Sequence, residues 1–220
     1  MENLFQQRDV FVRRVSPVYF LVKRGLDVLL GSFGLILFFI IYLLLMFPYS
    51  FGENKGPILF KQRRFGMDGE YFSIYKFRSM KVDSEEILKG NSVLYKKYLD
   101  NDYKLSPEED PRITRIGRFL RRTSIDEIPQ FINVVKGDMS MVGPRPIIKE
   151  EIEEYGRLSE VFFAMKPGIT GVWGANGRSN INYPQRAEVE LSYLAKRSVK
   201  FDFVVICQTM FSVFKKDGAF

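Results

Sequence analysis

The 220-residue chain contains no histidine and one cysteine, Cys207. Without histidine there is no Ser-His-Asp or Cys-His catalysis, no imidazole proton shuttle and no His-ligated metal. A single cysteine allows no internal disulfide, nearly excludes structural zinc, and is simplest to reconcile with a reducing compartment. Neither G-x-x-x-x-G-K-S/T nor G-x-G-x-x-G occurs, which removes the P-loop and Rossmann readings. Zinc-finger, RNA-binding aromatic and basic-zipper patterns are absent too, so no nucleic-acid partner is expected. Catalysis is left to Asp, Glu, Lys, Arg, Tyr, Ser, Thr or Asn. Any metal should be a hard cation on oxygen ligands, such as magnesium.

What is present suits one domain with a sizeable core, at 46% apolar and 27% charged residues. The net charge of +7 points to anionic lipid or phosphorylated small molecules. From Val28 to Phe47 the chain carries no charge. Twenty helical residues reach roughly 30 Å, the thickness of a bilayer's hydrocarbon core. A buried soluble helix is the alternative, but such helices rarely stay uncharged this long. Both flanks are basic, with Arg8, Arg13, Arg14, Lys23 and Arg24 before the run and Lys55, Lys61, Arg63 and Arg64 after it. Cations favour the cytoplasmic side, so two basic flanks favour a helix that enters and returns on one face. Gly31, Ser32 and Gly34 would support the bend. The expected organisation is a basic or amphipathic segment over 1–22, a membrane-inserted, re-entrant helix over 23–52 and a catalytic domain over 53–220.

Lys55 to Met80 reads as a small β region with a turn at Met67-Asp68-Gly69. Val82 to Asp110 reads as a polar loop with one helix. Asp110-Pro111 reads as the start of a helix, followed by a stripe of Arg112, Arg115, Arg118 and Arg121. For most of that stripe a solvated or lipid-headgroup face is the plain reading. A second helix is expected from Ser124–Glu127 through Val135, closed by Lys136-Gly137. Ile147 to Tyr155 reads as a short acidic helix, Lys166 to Asn182 as a Gly-rich loop region and Tyr183 to Lys196 as a helix. Phe201 to Phe214 reads as an apolar helix too short to span, lying on the membrane or in the core. The fold class is therefore α+β, mostly helical, with a small β region, a re-entrant membrane helix and interfacial amphipathic helices.

The central chemical feature is Asp126-Glu127. Ser124-Ile125-Asp126-Glu127 matches the capping box S-x-x-E, which needs no catalytic role. The competing reading is a carboxylate pair at a helix start, where the helix dipole keeps both acids ionised. An ionised Asp can attack phosphorus or hold magnesium, and Arg121 and Arg122 stand just upstream to neutralise a diphosphate. Adjacent like charges also push the two pKa values apart, which separates a nucleophile from a proton carrier. Gly143-Pro144-Arg145-Pro146 is a stiff loop carrying one guanidinium, or an ordinary turn. Lys76 and Arg78, two apart on a strand, make either a phosphate clamp or a solvent face. Asn176-Gly177-Arg178 lies in a Gly-rich loop that permits close approach to a ligand.

Taken together, KFRSM (76–80), DPRITRIGRFLRRTSIDEIPQFINVVKGDMSMVGPRP (110–146) and KPGITGVWGANGR (166–178) resemble the bacterial sugar transferase family. These are monotopic polyprenol-phosphate phosphoglycosyl transferases, and the likeness runs from about Lys23 to the C-terminus, as in the small, core-only members. The resemblance implies that Asp126 attacks the phosphate next to the sugar of a UDP-sugar, releases UMP and forms a phosphosugar-aspartyl intermediate. Polyprenol (undecaprenyl) phosphate then takes the sugar phosphate. It implies that Glu127 assists proton transfer, that magnesium is the cofactor with Asp126 as ligand, and that Arg121, Arg145 and Lys76 hold phosphate. It further implies the cytoplasmic face of the plasma membrane, initiation of capsule or exopolysaccharide synthesis, and a hexose substrate. Pairing of membrane-facing helices would give a homodimer. Two places depart from the family pattern. Phe38-Phe39-Ile40-Ile41 stands where members break the helix with Ser-Pro. Trp173-Gly174-Ala175-Asn176-Gly177-Arg178 replaces W-Q-V-x-G-R, which bears on the sugar or nucleotide pocket. A non-catalytic membrane-bound assembly or regulatory protein with the same fold is the alternative.

Overall fold

The computed structural model describes residues 15–101, 105–106, 109–176 and 181–215. Arg8, Arg13, Arg14 and Arg178 lie outside them.

Helix α1 runs unbroken from Pro17 to Met46, with Pro17 at its first position. Tyr19, Asp27, Gly31, Gly34, Phe38 and Leu45 form its buried stripe. The helix is not interrupted at Gly31–Gly34, where a re-entrant turn was expected, and the glycines serve packing. A Cβ on Gly34 would lie 2.2 Å from the Phe131 ring, and one on Gly31 would lie 2.9 Å from Val135. No proline interrupts the apolar run, and the missing side chains let α1 seat directly on the helix carrying those two residues. The opposite face exposes Leu29, Phe33, Ile36, Ile40, Leu43 and Leu44. So large an apolar surface marks a contact with membrane or with another protein.

Strands β1 (Leu59–Phe65) and β2 (Tyr71–Phe77) pair antiparallel, from Leu59 opposite Phe77 to Phe65 opposite Tyr71. Their turn has the expected place, with Asp68 at φ 58° and Gly69 at φ 75°. Two short helices, α2 (Ser84–Lys89) and α3 (Ser92–Asp100), follow where one was expected.

Helix α4 spans Arg115–Arg122 and is capped by the Thr114 side chain, which accepts from Gly117 N. The expected start at Asp110-Pro111 does not form. Asp110 is instead buried against Arg112, whose Nε and Nη2 each donate to its carboxylate at 2.8 Å. Helix α5, Gln130–Lys136, ends as expected at Gly137, in the left-handed region at φ 95°. Asn133 on α5 is completely buried and grips β2, accepting from Tyr75 N at 3.1 Å and donating to Ser73 O at 2.7 Å.

Strand β3 (Ser140–Val142) pairs in parallel with β4 (Gly168–Thr170). Short helices α6 (Ser159–Phe163) and α7 (Val172–Ala175) flank β4. The segment 149–158 forms 3-10 turns rather than one helix, broken at Gly156 with φ 47°. Helices α8 (Gln185–Lys196) and α9 (Val199–Lys215) close the domain. Their main core contains Val142, Ile147, Tyr155, Phe162, Leu191, Leu194 and Val205. A second core, of Phe38, Leu45, Tyr49, Phe77 and Leu120, joins the far end of α1 to the hairpin and α4.

Candidate active site

Asp126 lies in a 3-10 turn, Ile125–Glu127, between α4 and α5. Ser124 just before it is left-handed at φ 56° and its side chain makes no capping hydrogen bond. The capping box therefore does not form, and the two carboxylates are not explained by capping. The turn is closed through the backbone, with Glu127 N donating to Ser124 O at 3.2 Å and Ile128 N to Ile125 O at 3.1 Å.

The carboxyl of Asp126 is buried, with 8% of the residue exposed. Burial pushes its pKa up to about 6; Lys76 and Arg121 oppose the shift and Glu127 adds to it. The expected stabilisation of charge at a helix N-terminus is thus outweighed by desolvation. Lys76, on β2, donates Nζ to Glu127 Oε1 at 2.8 Å. Arg121, on α4, donates Nε to Ser79 Oγ at 2.8 Å. Burial draws the Arg121 guanidinium pKa down, and Asp126 offsets part of that. Tyr49 reaches the same place from the foot of α1. Its hydroxyl donates to Arg78 O, and burial raises its pKa to about 12, with Asp126 adding to the rise.

Arg78 does not pair with Lys76 as a phosphate clamp. It is buried, donates Nε to Pro57 O and Nη1 to Met80 O, both at 2.7 Å, and donates Nη2 to Asn54 O. Three carbonyls at a chain crossing fix it as a structural tie.

The Gly143–Pro146 loop lies beside β4. A Cβ on Gly143 would sit 2.3 Å from Lys166 O, so the close approach needs glycine there. Gly143 N donates to Thr170 O, and Pro144 O accepts from Gly168 N, both at 2.9 Å. Pro146 O accepts from Arg64 Nη1 at 3.2 Å, and Arg145 N donates to Glu190 Oε2 at 2.6 Å. The Arg145 guanidinium stands 5.6 Å from the Trp173 ring centroid. Arg64 braces this loop from β1, with Glu151 and Gln62 as its side-chain partners. Burial lowers its pKa to about 10, Arg145 adds to the lowering, and both Glu151 and Glu127 oppose it. Asn176 caps α7, its Nδ2 donating to Val172 O at 2.8 Å, and makes no contact with the acid pair among those described.

Among the described residues no group of three or more His, Cys, Asp or Glu gathers as a metal site. Magnesium characteristically binds one or two carboxylates together with substrate phosphates and water. The adjacent Asp126 and Glu127 fit that donor set.

Several residues around the site carry no motif in the sequence: Tyr49, Arg64, Glu151 and Glu190. They reach the site from segments far apart in the chain, and only the hydrogen-bond geometry picks them out.

The model of the bacterial sugar transferase family matches residues 18–216. The chain is 37% identical over 202 residues to an undecaprenyl-phosphate galactose phosphotransferase of Salmonella typhimurium, covering 90% of this chain and 42% of that one. It is 36% identical over 216 residues to a UDP-glucose:undecaprenyl-phosphate glucose-1-phosphate transferase of Escherichia coli, covering 94% and 43%. It is 33% identical over 210 residues to the exopolysaccharide production protein ExoY of Sinorhizobium fredii, covering 94% and 91%. The chain thus spans less than half of the first two relatives and nearly all of the third.

Proposed function

The chain belongs to the bacterial sugar transferase family, and from that premise we propose that it moves a hexose 1-phosphate from a UDP-sugar to undecaprenyl phosphate. The observation that carries the reading is the placement of Asp126: a buried carboxylate beside Glu127, with Lys76 and Arg121 as neighbouring cations, at the foot of the apolar helix.

In the first step the Asp126 carboxylate attacks the phosphorus next to the sugar. The bond from that phosphorus to the bridging oxygen breaks, and UMP leaves. In the second step an oxygen of the lipid phosphate attacks the same phosphorus, the bond to Asp126 breaks, and the carboxylate is regenerated. A pKa of about 6 leaves Asp126 largely ionised at neutral pH, with little solvation to lose before attack. Glu127 takes the proton of the lipid phosphate, and Lys76 holds Glu127 in place. Arg121 and Arg145 balance charge on the transferring group and the diphosphate. Asp126, with Glu127 beside it, would hold magnesium, which would supply Lewis-acid charge stabilisation at the phosphates.

The course of α1 supports a monotopic arrangement. Its contacts with the domain extend from Tyr19 to Leu45, so no length of it projects free to reach the far side of a bilayer. Its exposed apolar face would lie in the membrane, with the basic residues and the catalytic domain on the cytoplasmic side.

The test is UMP release by the full chain in nanodiscs holding undecaprenyl phosphate, with UDP-glucose and UDP-galactose as donors and magnesium present. A magnesium-dependent signal that disappears in Asp126→Asn is expected. A near-normal rate in that variant would remove the covalent mechanism, and no release from any UDP-sugar would favour a non-catalytic role.

A further inference from the structure

Behind the Gly143–Pro146 loop lies a buried charge chain that the catalytic steps leave unused. Glu190 on α8 is 1% exposed, and Arg186, one helical turn earlier, is 2% exposed. Glu190 Oε2 accepts the Arg145 backbone N–H at 2.6 Å, and Glu190 Oε1 lies 3.3 Å from Arg186 Nε. Arg186 Nη1 donates onward to Glu151 Oε1 at 3.2 Å. Glu151 Oε2 in turn accepts from Ile148 N at 3.0 Å and lies 3.4 Å from Arg64 Nη1. The chain is thus gripped at Arg145, through its N–H by Glu190, and three residues further on, through the Ile148 N–H by Glu151. The Arg186 guanidinium also stands 4.5 Å from the Trp173 centroid, on the ring that Arg145 faces at 5.6 Å. A shift of Arg186 would therefore reach Arg145 by two routes.

Fully burying a carboxylate is costly unless it is paired and hydrogen-bonded, and the partners Glu190 has are the Arg145 N–H and the Arg186 guanidinium. We infer that Glu190 is a positioning residue, which through Arg145 N–H and Arg186 fixes the Arg145 guanidinium for the diphosphate of the nucleotide sugar, so that nucleotide affinity follows the charge on Glu190. The inference rests on the proposed function only in assigning Arg145 to the diphosphate.

The groups facing Glu190 define how its charge responds to pH. Arg186 shares its helix, Arg145 faces it from the loop, Tyr155 from segment 149–158 and Tyr183 from the chain before α8. Glu151 and Arg64 complete the shell around Arg186 and Arg145. Burial drives both tyrosine pKa values up, so the tyrosines stay neutral. Burial also pushes Glu190 up to about 7, against the pull of Arg186 and of the Arg145 N–H. Below that pH a neutral carboxyl gives Arg145 only an ordinary hydrogen bond and leaves Arg186 without that ion pair.

Trp173 is the chain's single tryptophan, so its fluorescence reports on this place. The experiment titrates the full chain in nanodiscs without undecaprenyl phosphate and in EDTA with a UDP-hexose (UDP-glucose or UDP-galactose), whose diphosphate carries no group that titrates in this range, following Trp173, between about pH 6 and about pH 8.5, a range bracketing the charge change. In the wild type the UDP-hexose Kd should weaken roughly three- to tenfold as pH falls through the transition, the change expected when a charge-assisted hydrogen bond becomes neutral. Glu190→Gln should bind at the wild-type acidic limit at every pH. Arg145→Ala should bind weakly with no pH dependence. A wild-type Kd and pH profile in Glu190→Gln would overturn the inference, as would absence of saturable UDP-hexose binding by the wild type. If Glu190→Gln fails to fold by circular dichroism, Arg145→Ala decides: a retained pH dependence there shows that Glu190 does not act through Arg145. A wild type that binds the UDP-hexose with the expected profile yet releases no UMP once magnesium is supplied removes the proposed catalysis and leaves this inference standing.

Discussion

The ammonium of Lys76 donates to Glu127 Oε1 at 2.8 Å while also drawing down the pKa of Asp126. One cation thus serves both acids, holding one in place and keeping its neighbour ionisable. Lys76→Met should raise the Asp126 pKa above about 6. Activity that needs the carboxylate should then shift to higher pH, because a larger fraction of Asp126 is protonated at any given pH. The acidic limb of the pH–rate profile for UMP release should move upward, and kcat should fall roughly tenfold or more near neutrality. An unmoved limb would mean that Lys76 does not set the charge of Asp126.

Asp126→Asn should make the protein more stable while abolishing turnover. The folded pKa of Asp126 is raised from 3.8 to about 6, so the native state binds this proton more tightly than the unfolded chain. Ionising Asp126 therefore costs stability as pH rises from about 4 to about 6, and the cost persists above. At ~1.4 kcal/mol per pH unit the substitution should gain on the order of 2–3 kcal/mol above that window and nothing well below it. Thermal melts in EDTA, without nucleotide, at both ends of the window measure this.

Gly34→Leu should separate α1 from α5. The ring of Phe131 occupies the space a Cβ would need, at 2.2–2.4 Å. Overpacking of this kind costs about 1–3 kcal/mol, and the displaced α5 adjoins the Asp126 turn, so UMP release should fall as well. Phe33→Leu, on the exposed face, should leave both stability and activity nearly unchanged. Denaturation in detergent and the activity assay, run on both variants, separate packing from membrane anchoring.

Asp27→Asn should weaken catalysis without detaching the protein from membranes. Asp27 accepts from Met141 N at 2.8 Å and Ser140 Oγ at 3.0 Å, on the strand that leads to Gly143–Pro146. Its neighbour Arg24 donates to Val134 O and Val135 O at 2.7 and 2.8 Å, in the last turn of α5. Losing a charged, buried acceptor costs about 1–3 kcal/mol. Membrane sedimentation should stay normal while the melting temperature and UMP release fall.

Arg78→Lys should behave as a folding lesion. A lysine cannot reproduce the fork that serves three carbonyls, so stability should drop by roughly 1–3 kcal/mol with no selective rise in KM for the UDP-sugar. A selective KM effect at unchanged stability would return Arg78 to the phosphate site.

Features set by neighbours along the chain are legible in the residues themselves. Uninterrupted apolarity from Val28 to Phe47 announces a long helix, Met67-Asp68-Gly69 a turn, Lys136-Gly137 a helix end, and the block around Asp126 a family. Each depends on local backbone preference or on a contiguous motif. Packing decided the rest, because burial and long-range hydrogen bonds override local preference. Ser124 could cap in isolation, yet in the folded chain it is left-handed without capping, and Asp126 is buried. Gly31 and Gly34 could bend a helix, but with α5 against them they become its seat. Arg78 reads as a cation for a ligand until three backbone carbonyls converge on it. Glu190 has no signature at all, since its importance lies in meeting Arg145, 45 residues away, and only the folded chain brings those atoms to 2.6 Å.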